Sequence, residues 1–179
     1  MFDKEKEDKD QYVFKIALLG AAGAGKTSLI NQFVEKKFEK DYKPTLGSSI
    51  IAKDIVYDEM EVRLVIWDIA GQEKYNNVRS MYLNGSIGCI LVYDITRRPT
   101  FEEIENKWFK DVKEYAMEDA AFILIGNKVD LGDKRNVSTE EGERLAKNIG
   151  TDNFLETSAL TGVNVENAFH QLVNDIIKI

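Results

Sequence analysis

Cysteine, histidine and proline are almost missing from this chain: one Cys, one His and two Pro in 179 residues. A single cysteine, Cys89, excludes a disulfide framework. Lying inside IGCILVYDI, it reads as a small buried hydrophobe in a reducing, cytoplasmic protein. His170, alone within VNVENAFHQLVNDIIKI, reads as a surface or boundary residue rather than a ligand. With only Pro44 and Pro99, no proline-rich linker divides the chain, and there is no internal repeat or low-complexity block. No apolar run approaches the roughly 18 residues of a membrane-spanning helix. Positive charge is also short: 24 Lys and Arg against 31 Asp and Glu leave a net charge of −7. That balance argues against a nucleic-acid partner, whose phosphates require a basic face. The N-terminal MFDKEKEDKD is charged, so it is no secretory signal, and residues 1–12 are expected to form a solvated tail.

What is present is an alternation of apolar runs with helix-patterned segments. Strands are expected at 13–19, 48–57, 62–68, 87–94, 121–126 and 153–157, and helices at 25–36, 73–84, 100–115, 138–149 and 163–178. Thr100 with Glu103, and Ser138 with Glu141, have the spacing of a capping box. Strands apolar on both faces imply a mostly parallel sheet covered on each side. The pair 48–57 and 62–68, joined by YDEME, reads instead as an antiparallel hairpin. The expectation is one α/β domain over 13–179: three layers, α/β/α, a six-stranded sheet with one antiparallel strand, and about five helices.

In such a sheet, ligands bind beyond the carboxyl ends of the strands. There, after the first strand, stands GAAGAGKT (20–27), which fits GxxxxGK[ST] at Gly20, Gly25, Lys26 and Thr27. Glycines let backbone N–H groups of Ala22, Gly23, Ala24 and Gly25 curl around an anion, and the next helix, with Thr27 and Ser28, adds its positive end. Lys26 is expected to reach the β- and γ-phosphates and the Thr27 hydroxyl to ligate Mg²⁺. A plain strand-to-helix turn would need glycines too, but not a lysine and a hydroxyl at this spacing.

Two later loops address the base. IGNKVD ends the fifth strand, and Asp130 can accept two hydrogen bonds from guanine, at N1–H and the exocyclic amine. Adenine presents a lone pair at N1, so a desolvated carboxylate rejects it. Asn127 can brace the loops, and the Lys128 stem can lie along the base. ETSALTG ends the sixth strand, where Ser158, Ala159 and Leu160 form a third loop and the Ala159 N–H can donate to the guanine carbonyl. Neither NKVD nor TSA is specific alone. Three such loops at strand ends select GTP or GDP.

With GAAGAGKT, DIAGQE, NKVD and TSA in this order, the chain resembles the Ras superfamily of small GTPases from about residue 13 to its end. RLVIWDIAGQE, MYLNGSIG and LVYDIT resemble the Rab branch, while TLGSSI (45–50) lacks the acidic and aromatic residues Rabs carry there. The resemblance implies a P-loop NTPase fold and a GTP-binding switch that slowly hydrolyses GTP, with a little-hydrolysing GTP-bound scaffold as the alternative. It places switch I at 38–47, where Phe38 packs on guanine, Tyr42 covers the phosphates and Thr45 joins the Mg²⁺ ligands. Switch II falls at 70–82, where Asp68 just before it holds Mg²⁺ through a water, the Gly71 N–H contacts the γ-phosphate and Gln72 orients the attacking water. Ala22 stands where Ras proteins carry glycine. Taken without the resemblance, Phe38 could be core, Tyr42 an ordinary turn residue, Thr45 a strand-edge residue and Gln72 a solvated polar residue.

Switch I carries Lys40 and Lys43 but no arginine, and Arg63 and Arg79 stand at no finger position, so an activating protein is implied. Effectors and an exchange factor are the other implied partners of the switches, through Leu46, Tyr75, Val78, Tyr82, Ile50, Trp67 and Ile69, although Trp67 and Ile69 suit the core equally. The chain carries no terminal cysteine or polybasic run, and its second residue is Phe2 where myristoylation requires a glycine. A cytoplasmic monomer, reaching membranes through partners, is the expectation.

Overall fold

The computed structural model describes residues 11–39 and 43–178. Alternation decides the architecture. In β1 (Tyr12–Leu19), Ile16 and Leu18 enter one hydrophobic core while Ala17 and Leu19 enter another. Successive residues of a strand point to opposite faces, so an all-apolar strand must be covered twice. β4 (Gly88–Asp94) is buried at every position for the same reason. With β2 (Ser48–Tyr57), β3 (Met60–Ile69), β5 (Ala121–Asn127) and β6 (Phe154–Thr157), they form one sheet ordered β2-β3-β1-β4-β5-β6. Every pairing is parallel except β2 with β3. That hairpin closes through Asp58 and Glu59, both at positive φ (45° and 68°), as the twist of a two-residue turn demands.

One face carries α1 (Lys26–Glu35) and α6 (Val165–Ile177), locked by Phe33 stacked on Phe169 at 3.9 Å. The other carries α2 (Asn76–Leu83), α3 (Arg98–Glu103), α4 (Phe109–Tyr115) and α5 (Thr139–Asn148). The result is the expected α/β/α arrangement with a mostly parallel six-stranded sheet.

Several helix starts differ from expectation, the last helix beginning at Val165 and not at 163. The segment expected to begin at Thr100 begins at Arg98, with Arg97 at the N-cap and no side-chain cap. Pro99 in the first turn, where no N–H is needed, sets that start. Thr100 lies inside the helix, and its hydroxyl accepts from the Asp94 N–H at 3.0 Å and donates to the Arg97 carbonyl at 2.7 Å. Between α3 and α4 runs a π-helical turn, Ile104–Trp108. The segment expected as one helix from residue 73 opens with a 3₁₀ turn, Glu73–Tyr75. The Ser138 box forms as expected: the Glu141 N–H donates to Ser138 Oγ at 3.2 Å and the Ser138 N–H to Glu141 Oε2 at 2.8 Å. Tyr12 already belongs to β1, one residue before the expected boundary. The rest of the expected tail, apart from Gln11, lies outside the described residues.

Candidate functional site

Beyond the carboxyl ends of β1, β3, β5 and β6 opens a cavity of about 410 Å³. Its floor is the loop 20–25. Gly23 and Gly25 hold φ values of 76° and 100°, which only glycine adopts cheaply. The loop's carbonyls are each held. Gly20 O and Ala21 O accept from Lys26 Nζ at 2.7 and 3.0 Å, Gly23 O from Lys128 Nζ at 2.7 Å, and Ala24 O from Asn127 Nδ2 at 3.0 Å. Burial pushes the Lys26 ammonium down to about 8, partly offset by the charges of Asp68 and Glu103. A cation this desolvated favours an anion beside it.

Three oxygen-bearing side chains meet next to Lys26. Thr27 Oγ1 donates to Asp68 Oδ2 at 2.5 Å and lies 3.0 Å from Thr45 Oγ1, which is 3.3 Å from the same carboxylate oxygen. Asp68 is fully buried, and its Oδ1 has no partner among the described residues. Two hydroxyls and a carboxylate with an orphaned oxygen form a hard donor set, which fits Mg²⁺. Gly71 closes the same corner. A Cβ there would collide with backbone atoms of Gly20, Ala21 and Ala22.

On the opposite wall, Asn127 is buried and its Oδ1 accepts from Thr157 Oγ1 at 3.0 Å and, more loosely, from the Ala159 N–H at 3.3 Å. The fifth and sixth strand ends are thereby tied together. Asp130 Oδ1 accepts from Ser158 Oγ at 2.5 Å, which fixes the carboxylate at the cavity edge. Lys128, at φ 76°, also pairs with Asp94 at 2.7 Å. Of the residues singled out from sequence, Ala22, Gly23, Gly25, Lys26, Thr27, Ser28, Phe38, Thr45, Gly71, Gln72, Asn127, Lys128, Asp130, Ala159 and Leu160 line the cavity. Ala24, Asp68 and Ser158 do not line it and act through the contacts just given, while Tyr42 lies outside the described residues. Asn31, Glu39, Lys43 and Leu131 line it as well. Glu39 and Lys43 belong to the segment 38–47 singled out above, while Asn31 and Leu131 fall in no motif.

The sequence model of the Ras family matches residues 15–178. The chain belongs to the Ras family. It is 40% identical over 173 residues to the Ras-related protein Rab11B of Nicotiana tabacum, covering 97% of this chain and 79% of that protein. It is 42% identical over 165 residues to the Ras-related protein Rab-8A of Bos taurus, covering 92% and 79%. RABA1h of Arabidopsis thaliana is 40% identical over 173 residues, covering 97% and 78%. This is a Rab-like, GTP-binding small GTPase.

In this Ras-family chain the apolar residues flanking the site divide sharply. Leu46 is 77% exposed and Ile50 55% exposed. Met81, which the sequence reading passed over, is 70% exposed because α2 presents it outward. Tyr75, Val78 and Tyr82 are half-buried. Trp67 packs on Tyr82 with ring centroids 5.9 Å apart. Ile69 is core and belongs to no surface, because β3 turns it beneath α2. Arg79 is buried and paired with Asp111 and Asn76. No helix among the described residues is long and apolar enough to cross a membrane.

Proposed function

We propose that this protein is a GTP-operated switch whose single G domain, 13–179, hydrolyses GTP slowly and binds effectors only while the terminal phosphate is present. The observation that carries the reading is the meeting of Thr27, Thr45 and Asp68 oxygens beside Lys26. Thr45 comes from a segment outside the sheet, so a ligand gripping this corner also fixes that segment.

In this reading the loop amides and Lys26 hold the phosphates, while Asp130, Ser158, Ala159 and Leu160, braced by Asn127, select guanine. Phe38 and the Lys128 stem flank the base. Thr27, Thr45 and Asp68 hold Mg²⁺, which neutralises phosphate charge when bound. Gln72, extended at φ −79° and lining the cavity, orients a water. That water's oxygen bonds to the γ-phosphorus as the bond to the β–γ bridging oxygen breaks, giving GDP and phosphate. Positioning and charge supply the acceleration.

Lacking a cis finger, the chain turns over at about 10⁻⁴ to 10⁻³ s⁻¹ and depends on an activating protein. Rab11B and Rab-8A are the relatives that suggest a role in membrane traffic, with the chain acting as a cytoplasmic monomer that is peripheral at membranes through its partners. The test is single-turnover hydrolysis of preloaded GTP. Gln72→Leu should leave binding intact and slow cleavage at least tenfold. Unchanged cleavage in the variant removes Gln72 from the mechanism, and no cleavage by the wild type leaves a GTP-bound scaffold.

A further inference from the structure

The loop 20–25 has one carbonyl whose side-chain partner belongs to none of the motifs. Ala22 O accepts from Arg97 Nη1 at 3.1 Å. The neighbouring carbonyls are held by Lys26, Lys128 and Asn127, and Gly25 O by the Leu29 N–H at 2.9 Å. We infer that Arg97 is a positioning residue of the phosphate site, setting the aim of the Gly23 amide by holding the Ala22 carbonyl outward. The inference rests on the GTP-binding reading above and extends it to a residue outside every motif.

The argument starts from the peptide bond. A planar trans peptide points its C=O and N–H in opposite directions. A donor that fixes the Ala22 carbonyl therefore fixes the Gly23 N–H on the other side, toward the cavity that Ala22 and Gly23 line. Lys128 and Asn127 do the same for the next two peptides. Arg97 itself does not line the cavity, so it reaches the phosphates through the loop.

Its backbone is fixed, while its side chain is exposed. Arg97 is the N-cap of α3, its N–H donates to Asp94 O at 3.0 Å, and its carbonyl accepts from Thr100 N at 3.0 Å and Thr100 Oγ1 at 2.7 Å. Asp94 also pairs with Lys128 at 2.7 Å. The end of β4 thus brings one cation, Arg97, to the loop and through Asp94 steadies a second, Lys128, at the adjacent carbonyl. The space is equally specific: a Cβ at Gly23 would approach Arg97 Nη1 to 3.1 Å, and Ala22 is backed on its amide side by Gly71. Without Arg97, Ala22 O has no protein donor among the described residues. Its peptide can then rotate, as the glycine after it permits.

Release of GDP and the ³¹P resonances of bound GDP test the inference on the whole chain. Arg97→Ala should raise the dissociation rate about three- to tenfold, the loss of one solvent-exposed hydrogen bond. It should also move the β-phosphate resonance. Arg97→Lys, which still offers an N–H donor, should restore both. Unchanged release and resonance in Arg97→Ala, with wild type binding GDP normally, overturn the inference and leave the functional reading standing. Faster release with an unmoved β-phosphate, or without rescue by lysine, also overturns it, since that pattern marks loss of packing alone. A wild type that binds no GDP overturns both readings.

Discussion

A single carboxylate, Glu141, closes two local structures. It accepts from the Ser138 N–H at 2.8 Å to complete the cap of α5, and from Arg98 at 2.7 and 3.1 Å to tie α5 to the start of α3. The Arg98 hydrogen bonds first, then those from Ser138, hold its carboxyl down to about 2 from an ordinary 4.5. The folded value lies below the unfolded one, so ionised Glu141 favours folding. That contribution is complete above about 4.5 and fades as pH falls toward about 2. We therefore expect Glu141→Gln to melt below wild type near neutral pH, with the gap closing between 4.5 and 2. Thermal unfolding of both proteins across that range measures the gap, and a constant difference would refute the assignment. The cap was legible in sequence because Ser138 and Glu141 are three residues apart. Arg98, 43 residues from Glu141, was not.

Elements join through contacts of the same long-range kind. Arg79, 3% exposed, is the buried cation of α2. Its guanidinium lies 4.4 Å from the Trp108 ring and pairs with Asp111 on α4. The π turn Ile104–Trp108 fits one extra residue into the helix and, with α4 continuing from it, sets the places of Trp108 and Asp111 beneath Arg79. Nothing in the sequence announces this burial of Arg79, since no periodicity marks a partner 32 residues away. The hairpin and the glycine loop are different. Their information is local, in Asp58–Glu59 between alternating runs and in the spacing Gly20 to Thr27, so both were readable. Thr100 misled because its capping-box spacing was real while Pro99 had already started the helix. Removing one partner of a buried ion pair leaves an uncompensated charge, so Asp111→Asn should cost about 3 kcal/mol of stability. Chemical denaturation at equilibrium gives that number directly. A variant within about half a kcal/mol of wild type would mean that Asn76 and Trp108 together satisfy Arg79.

At the scale of the whole molecule, the two segments proposed as switches adjoin the two strands of one hairpin at the same end. Thr45 and Gly47 lead into β2, and Ala70, Gly71 and Gln72 leave β3. Ser48 pairs with Ile69, and the Ala70 N–H donates to Gly47 O at 2.9 Å, so the ladder continues past the sheet to the segments themselves. Asp68 sits inside this ladder opposite Ser49 and accepts from both Thr27 and Thr45. A ligand that grips Thr45 therefore strains or relaxes the Gly71 side through two adjacent strands, and the segments have reason to order together. We expect hydrogen exchange at 43–47 and 71–83 to be slower with a non-hydrolysable GTP analogue than with GDP, and by similar factors in both. The far end of the hairpin, Asp58–Glu59, is anchored separately where Tyr57 donates to Asn174 on α6 at 2.7 Å, and its exchange should not change. Protection confined to one segment would show that the hairpin does not couple them. Equal exchange in both nucleotide states would remove the switch altogether, because a phosphate that leaves no mark on either segment has nothing to signal.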